Sequence, residues 1–249
     1  MPLPAKAFQR WLHGIAPDTS IADVCRLSGV KRTTLAQQLV RGKVAESTVV
    51  SISRAFNVNP VTSLAYFETY RDLAGSQIPP SPRELVSQIA TVDLLRAMIA
   101  RSGNEPAPEA SGARQAGLLA LGPAAHATSV KNWVDAIDDG ELRHRVSAAT
   151  GIAPQNYSAQ LTANRMAPEV AIATSRAAGV GLTGGLVATG LVTEAEAGWG
   201  PGSRQAALDM LTDGDLAVLA GDRLQAMGKT LRRQEQDQEQ TELILENLG

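Results

Sequence analysis

The chain repeats itself, and nothing else in it constrains the fold so strongly. Adding 122 to a residue number lands on a counterpart without any gap. Trp11 meets Trp133, Ile15 meets Ile137, Val24 meets Val146 and Gly29 meets Gly151. Gln38-Leu39 meets Gln160-Leu161, Ala45 meets Ala167, and Ser53-Arg54-Ala55 meets Ser175-Arg176-Ala177. Val58 and Val180, Leu64 and Leu186, Pro79 and Pro201, Ser81 and Ser203 keep the register, as do Asp93-Leu94 with Asp215-Leu216 and Arg101 with Arg223. These are 17 identities over the 91 positions from 11 to 101, where ordinary residue frequencies give roughly six by chance. Two copies of one unit must fold alike, so a motif read in one half has to make sense at its twin. The expected division is 1–101 for the first unit, 102–122 for a Pro/Ala/Gly-rich linker, 123–228 for a diverged second unit and 229–249 for a polar acidic tail.

Each unit reads as helical. Hydrophobic residues make up 44% of the chain, enough for real cores, and aromatics only 4%. Ala, Leu, Gln and Arg dominate, while alternating Val, Ile and Thr runs are scarce. Trp11, Leu12 and Ile15 form the buried side of a first helix. Ser20 with Asp23 resembles a capping box that opens a second, near 20–27, with Val24 and Leu27 as its apolar face. Ser47 is expected to cap a fourth helix carrying Val49, Val50, Ile52 and Ala55. Asn57 to Pro60 turns the chain into a fifth, from Val61 to about Leu73. Ser81, Pro82 and Glu84 make a further helix start, and a last short helix runs from Thr91–Asp93 to Arg101.

The stretch Ser28 to Val44 is the candidate functional segment. Gly29 stands where two short helices meet at a sharp bend, a position that suits φ > 0. Leu35 and Leu39 follow at i, i+4 spacing to face a core. The other side carries Arg32, Thr33, Thr34, Gln37 and Arg41, side chains suited to base edges and phosphates. The G-V-x-x-x-T-L run, the R-G-K after it and the A-F-N-V-N-P segment resemble the Cro/repressor-like (XRE-type) helix-turn-helix family over Ile21 to Leu64. The resemblance implies an all-α protein of two tandem helical units, each a five-helix helix-turn-helix plus two extra short helices. In that family the second helix of the motif lies in the major groove. By position Arg32, Thr33, Thr34 and Gln37 then meet bases and Lys31, Arg41 and Lys43 meet phosphates, with Gln38 on the same helix. In the second unit the counterparts are Gln155 and Asn156, which suit adenine, with Gln160 and Arg165.

Charge and composition bound the alternatives. The net charge is −2, but residues 1–75 hold nine Lys and Arg against five Asp and Glu, and residues 194–249 hold five against eleven. A basic first part is compatible with nucleic acid; the second unit is not basic, and phosphate neutralisation supplies most non-specific affinity. The single Cys25 has Ser147 as its twin and fits a small core residue in a reducing compartment. His13, His126 and His144 lie at no metal-ligand spacing. Asp138-Asp139 and Glu194/Glu196 read as solvated helix ends. GVGLTGG, 179–185, is the twin of a turn and lacks the lysine of a phosphate loop. No catalytic constellation is present, so neither an enzyme nor a cofactor is expected. With no signal sequence and no apolar run of about 20 residues, the expected place is the cytoplasm, at the nucleoid, without membrane contact.

The reading is therefore a sequence-specific double-stranded DNA-binding regulator of bacterial or phage type, a repressor by preference. A flexible linker of roughly 25 residues has an r.m.s. span of about 28 Å, near the ~34 Å between successive major-groove faces. One chain would then read an asymmetric, two-part site. The alternative is an interaction protein in which only the first unit holds DNA and the second unit, or the tail around Leu243 to Leu248, binds a protein or a second copy.

Overall fold

A computed structural model describes residues 2–75, 78–102 and 121–246, and it is mostly helical. Its compact units do not follow the order of the sequence. One is built from Met1–Gln88 with Pro123–Arg204, the other from Ile89–Gly122 with Gln205–Gly249. The expected linker falls largely on 103–120, outside the described residues, as do the side chains from Leu243 to Leu248.

In the larger unit the first segment runs through α1 (Ala5–Ile15), α2 (Ile21–Ser28), α3 (Arg32–Val40), α4 (Glu46–Ala55), α5 (Pro60–Ala65), a 3-10 turn (Glu68–Ala74) and α6 (Pro82–Ser87). Leu3–Pro4 pairs antiparallel with Lys43–Val44, a two-residue ladder that periodicity does not reveal. The second segment runs through α8 (Ser129–Ile137), α9 (Leu142–Thr150), α10 (Pro154–Thr162), α11 (Pro168–Ala178) and α12 (Gly184–Ala188). Its helices keep the offset of 122: α3 and α10 begin at Arg32 and Pro154, α4 and α11 at Glu46 and Pro168. Backbone positions that need a left-handed conformation recur likewise, at Gly29 and Gly151, Gly42 and Asn164, Asn57 and Gly179. Asn replaces Gly at two of the six, the substitution this region tolerates best.

The cores correspond too. Val24 and Val146, Trp11 and Trp133, Leu64 and Leu186 are all buried. At one pair of positions the chemistry changes in concert: Leu35 and Ile52 in the first segment become Tyr157 and Thr174 in the second, all buried. The two new hydroxyls lie 3.2 Å apart and hydrogen-bond each other, which removes the desolvation penalty either would carry alone. Burial pushes the Tyr157 hydroxyl's pKa up.

Several local expectations need correction. Ala45, not Ser47, is the N-cap of α4. The fifth helix stops at Ala65, because extended backbone at Phe67 buries that ring and restarts the chain as a 3-10 turn. Leu27 is exposed rather than apolar core. Gly184 and Gly185 belong to a helix, α12, packed against Trp133. Glu194 and Glu196 are not solvated ends: Glu194 takes both its oxygens to Arg204, and Glu196 takes both to Arg54.

The smaller unit comprises α7 (Thr91–Ser102), α13 (Ser203–Asp209) from Gln205 onward, and α14 (Asp213–Glu246). Its core is Ile89, Leu94, Ala97, Leu208, Leu216 and Ala220. Arg101 donates to the carbonyls of Leu208 and Leu211 at 2.8 and 2.7 Å, closing the end of α13 with a positive charge as the helix dipole favours. Helix α14 runs on through the expected tail, its described side chains exposed beyond Gly228.

Candidate nucleic-acid interface

The sequence folds α2 and α3 into a pair held by one turn. Ser20 caps α2 by accepting the Asp23 N–H. At its other end Gly29 adopts φ +69°, and Ser28 Oγ donates to the Val24 carbonyl while accepting the Val30 N–H. The turn between α9 and α10 is built the same way. Gly151 has φ +71°, and Thr150 Oγ1 donates to Val146 while accepting the Ile152 N–H. The exit of each second helix is also shared. Gln38 Oε1 accepts the Ala45 N–H at 3.2 Å and the Thr48 hydroxyl at 3.0 Å; Gln160 Oε1 accepts the Ala167 N–H at 3.0 Å. Both glutamines, expected among DNA-binding side chains, thus have their carbonyl oxygens engaged in closing the turn behind the helix.

What remains on α3 faces solvent. Arg32, Thr33, Thr34 and Gln37 are exposed, as are Lys31, Arg41 and Lys43 at the helix ends; Leu35 is buried beneath them. Two more residues share that outer face at helical spacing from Thr33 and Gln37: Ala36, and Val40 at 89% exposure. An apolar side chain so fully presented is the one feature of this face that sequence reading passed over. The 33–37–40 spacing carries the signal.

The cations of α3 stand close together in sequence. Lys31, Arg32, Arg41 and Lys43 pair with no carboxylate among the described residues. Arg26, Arg54, Arg96, Arg101, Arg145, Arg176 and Arg204 each meet an acid. The first turn of α3 contains no acidic residue, and its N-cap is a lysine that makes no side-chain capping bond. Carboxylates are the groups that stabilise a helix N-terminus. Cations there leave the partial positive charge of the free N–H groups uncompensated, an arrangement complementary to an anion.

On α10, Gln155 and Asn156 are exposed in the first turn, again with no acid, and Arg165 is exposed beyond the helix end. Between them the face is neutral: Pro154 opens the helix, Tyr157 is buried, and Ala159 stands where Gln37 does in α3.

Cys25 is buried. Among the described residues no group of three or more His, Cys, Asp or Glu is placed to hold a metal ion, and no helix is long and apolar enough to cross a membrane. Asp138 and Asp139 accept backbone N–H groups at the start of α9, and Arg145 with the Glu141 N–H holds the Asp139 carboxyl below its ordinary pKa. Comparison with family models, with curated proteins and with solved structures finds no match to this chain.

Proposed function

We propose that the protein is a sequence-specific double-stranded DNA-binding regulator, with α2–α3 and α9–α10 as two helix-turn-helix elements in diverged copies of one unit. The observation that carries the reading is the outer face of α3: exposed cations without acidic partners, flanking Thr33, Thr34, Gln37 and Val40. In this reading Lys31, Arg32, Arg41 and Lys43 neutralise phosphates or, for Arg32, reach a base edge. Thr33, Thr34 and Gln37 hydrogen-bond to bases, and Val40 and Ala36 meet thymine methyl groups. The copies belong to one compact unit, so packing rather than linker length would fix the separation of the two reading helices. A regulator that lowers transcription by occupying its site needs nothing beyond this.

The experiment is selection of bound duplexes from a random-sequence pool by the full chain, beside Arg32→Ala/Gln37→Ala. A motif enriched by the parent and lost in the variant supports the reading. A pool that stays unenriched from about 50 to about 200 mM salt, the range over which phosphate contacts dominate affinity, overturns it. The neutral face of α10 favours a second reading, in which only α3 reads bases and the second copy serves packing or a protein partner. Gln155→Ala/Asn156→Ala distinguishes the two: an unchanged motif supports the second, and loss of half the motif excludes it.

A further inference from the structure

How two half-sites must be oriented follows from the way the two segments of the larger unit meet. Arg54, in the last turn of α4, donates to both carboxylate oxygens of Glu196 at 2.6 and 2.8 Å and to the Leu191 carbonyl at 3.1 Å. Its counterpart 122 residues on, Arg176, donates to Asp72 and lines a shared groove with Thr69. Thr69 and Leu191 are themselves counterparts at that offset, and Asp72 corresponds to Glu194, two residues from Glu196. The next turn repeats the pattern. Asn59 donates to the Glu196 carbonyl at 3.0 Å, and its counterpart Gly181 lies against the Ile78 carbonyl.

Arg54 and Asn59 therefore touch 191–196, while Arg176 touches Asp72 and Gly181 touches Ile78. Surface i meets j′ while i′ meets j, the reciprocity that defines an isologous contact and requires a twofold axis. A head-to-tail arrangement of two copies would pair i with j′ alone and leave i′ and j uncovered. Within the smaller unit the same relation appears independently. Leu94 and Leu216, 122 residues apart, are buried in one cluster, so α7 packs on its own counterpart in α14. An element that meets its own copy does so about a twofold axis.

We propose that the chain is folded as its own dimer, and that its ligand is a duplex carrying two inverted half-sites of unlike sequence, read by a single chain. The inference rests on the DNA reading above. The backbone of B-form DNA has local twofold axes, so reading helices related by a twofold meet the two half-sites in inverted, not direct, order. Arg32, Thr33, Thr34 and Gln37 face one half and Pro154, Gln155, Asn156 and Ala159 the other, so the halves differ in sequence. The cationic α3 half supplies most of the affinity.

The test uses the full chain and the motif recovered from the random pool. Duplexes carry its two halves inverted, in direct order at the same spacing, or with one half scrambled. Titration gives affinity, and native mass spectrometry gives the number of chains per duplex. The expected result is one chain per duplex, with the inverted arrangement bound at least tenfold tighter than either alternative. Equal or tighter binding to the direct arrangement, a motif with a single half, or two chains on the inverted duplex at saturation overturns the proposal while leaving α3 as a DNA reader. A pool with no motif at all overturns the DNA reading and this proposal together.

Discussion

Gly185→Ala is the substitution whose consequence the structure specifies most closely. Gly185 lies in α12 with ordinary helical backbone, so it is not there for conformational freedom. It is there for space. A methyl group at this position would stand 2.7 Å from Cη2 and 2.9 Å from Cζ3 of Trp133, and 2.8 Å from the Cβ of Ala171. Trp133 and Ala171 are fully buried, and the indole N–H is directed to Glu84 at 3.3 Å, on α6 of the first segment. The ring cannot withdraw without breaking that contact. Overpacking of this kind costs about 2 kcal/mol, within the 1–3 kcal/mol typical of inserted methylenes. For a chain of this length that lowers the thermal midpoint by roughly 4–8 °C. Gly200 is the control: its added Cβ meets nothing within 4 Å and its φ is not left-handed, so Gly200→Ala should be neutral or slightly stabilising. Urea unfolding of both variants checks the pair, with the midpoint falling and the slope unchanged only for Gly185→Ala. A Gly185→Ala protein that unfolds within 1 °C of the parent, about the error of such a scan, would refute the packing of Trp133 described above.

Arg32→Ala/Gln37→Ala should leave the unfolding midpoint within about 0.5 kcal/mol of the parent, because both side chains are exposed. The same change should abolish specific binding, and its salt dependence should fall by about one phosphate contact. Glu196→Gln acts through pH. Hydrogen bonding from Arg54 holds the Glu196 carboxyl below its ordinary value of 4.5, so its stabilisation is complete above that value and is lost as pH falls through the lower, folded pKa. The variant should be less stable near neutrality, by about 1 kcal/mol given the partial exposure of the pair, and the difference should vanish in acid; urea midpoints from pH 7 downward show it. Gln38→Ala should cost about 1 kcal/mol by freeing the Ala45 N–H and the Thr48 hydroxyl, read as a lower midpoint in the same assay.

The helices and their register were legible in the sequence because they depend on local signals. Ser20, Ser81 with Pro82 and Glu84, and Gly29 each act within a few residues of themselves, and the structure shows each cap or turn in place. The repeat anticipated that α3 and α10 begin 122 residues apart. What the sequence withheld depends on contacts between distant segments. Glu194 and Glu196 look like surface acids until Arg204 and Arg54 are brought to them from ten and 142 residues away. Leu27 has the right spacing for a core yet is exposed, since spacing gives the face but not whether anything covers it. Gln38 looks like a base-reading side chain because polar residues on a helix are alike in sequence; its role in the turn appears only with Ala45 and Thr48 in place. The assembly of each compact unit from both halves is of the same kind, a matter of which copy packs on which.

Amide hydrogen exchange of the full chain, with and without a mixed-sequence duplex at low salt, tests the central claim most directly, because it asks which surface meets DNA. Slowed exchange at residues 31–43, with weaker slowing at 153–165, is the predicted result. Slowed exchange confined to other segments, with 31–43 unchanged while DNA is bound, would contradict the account.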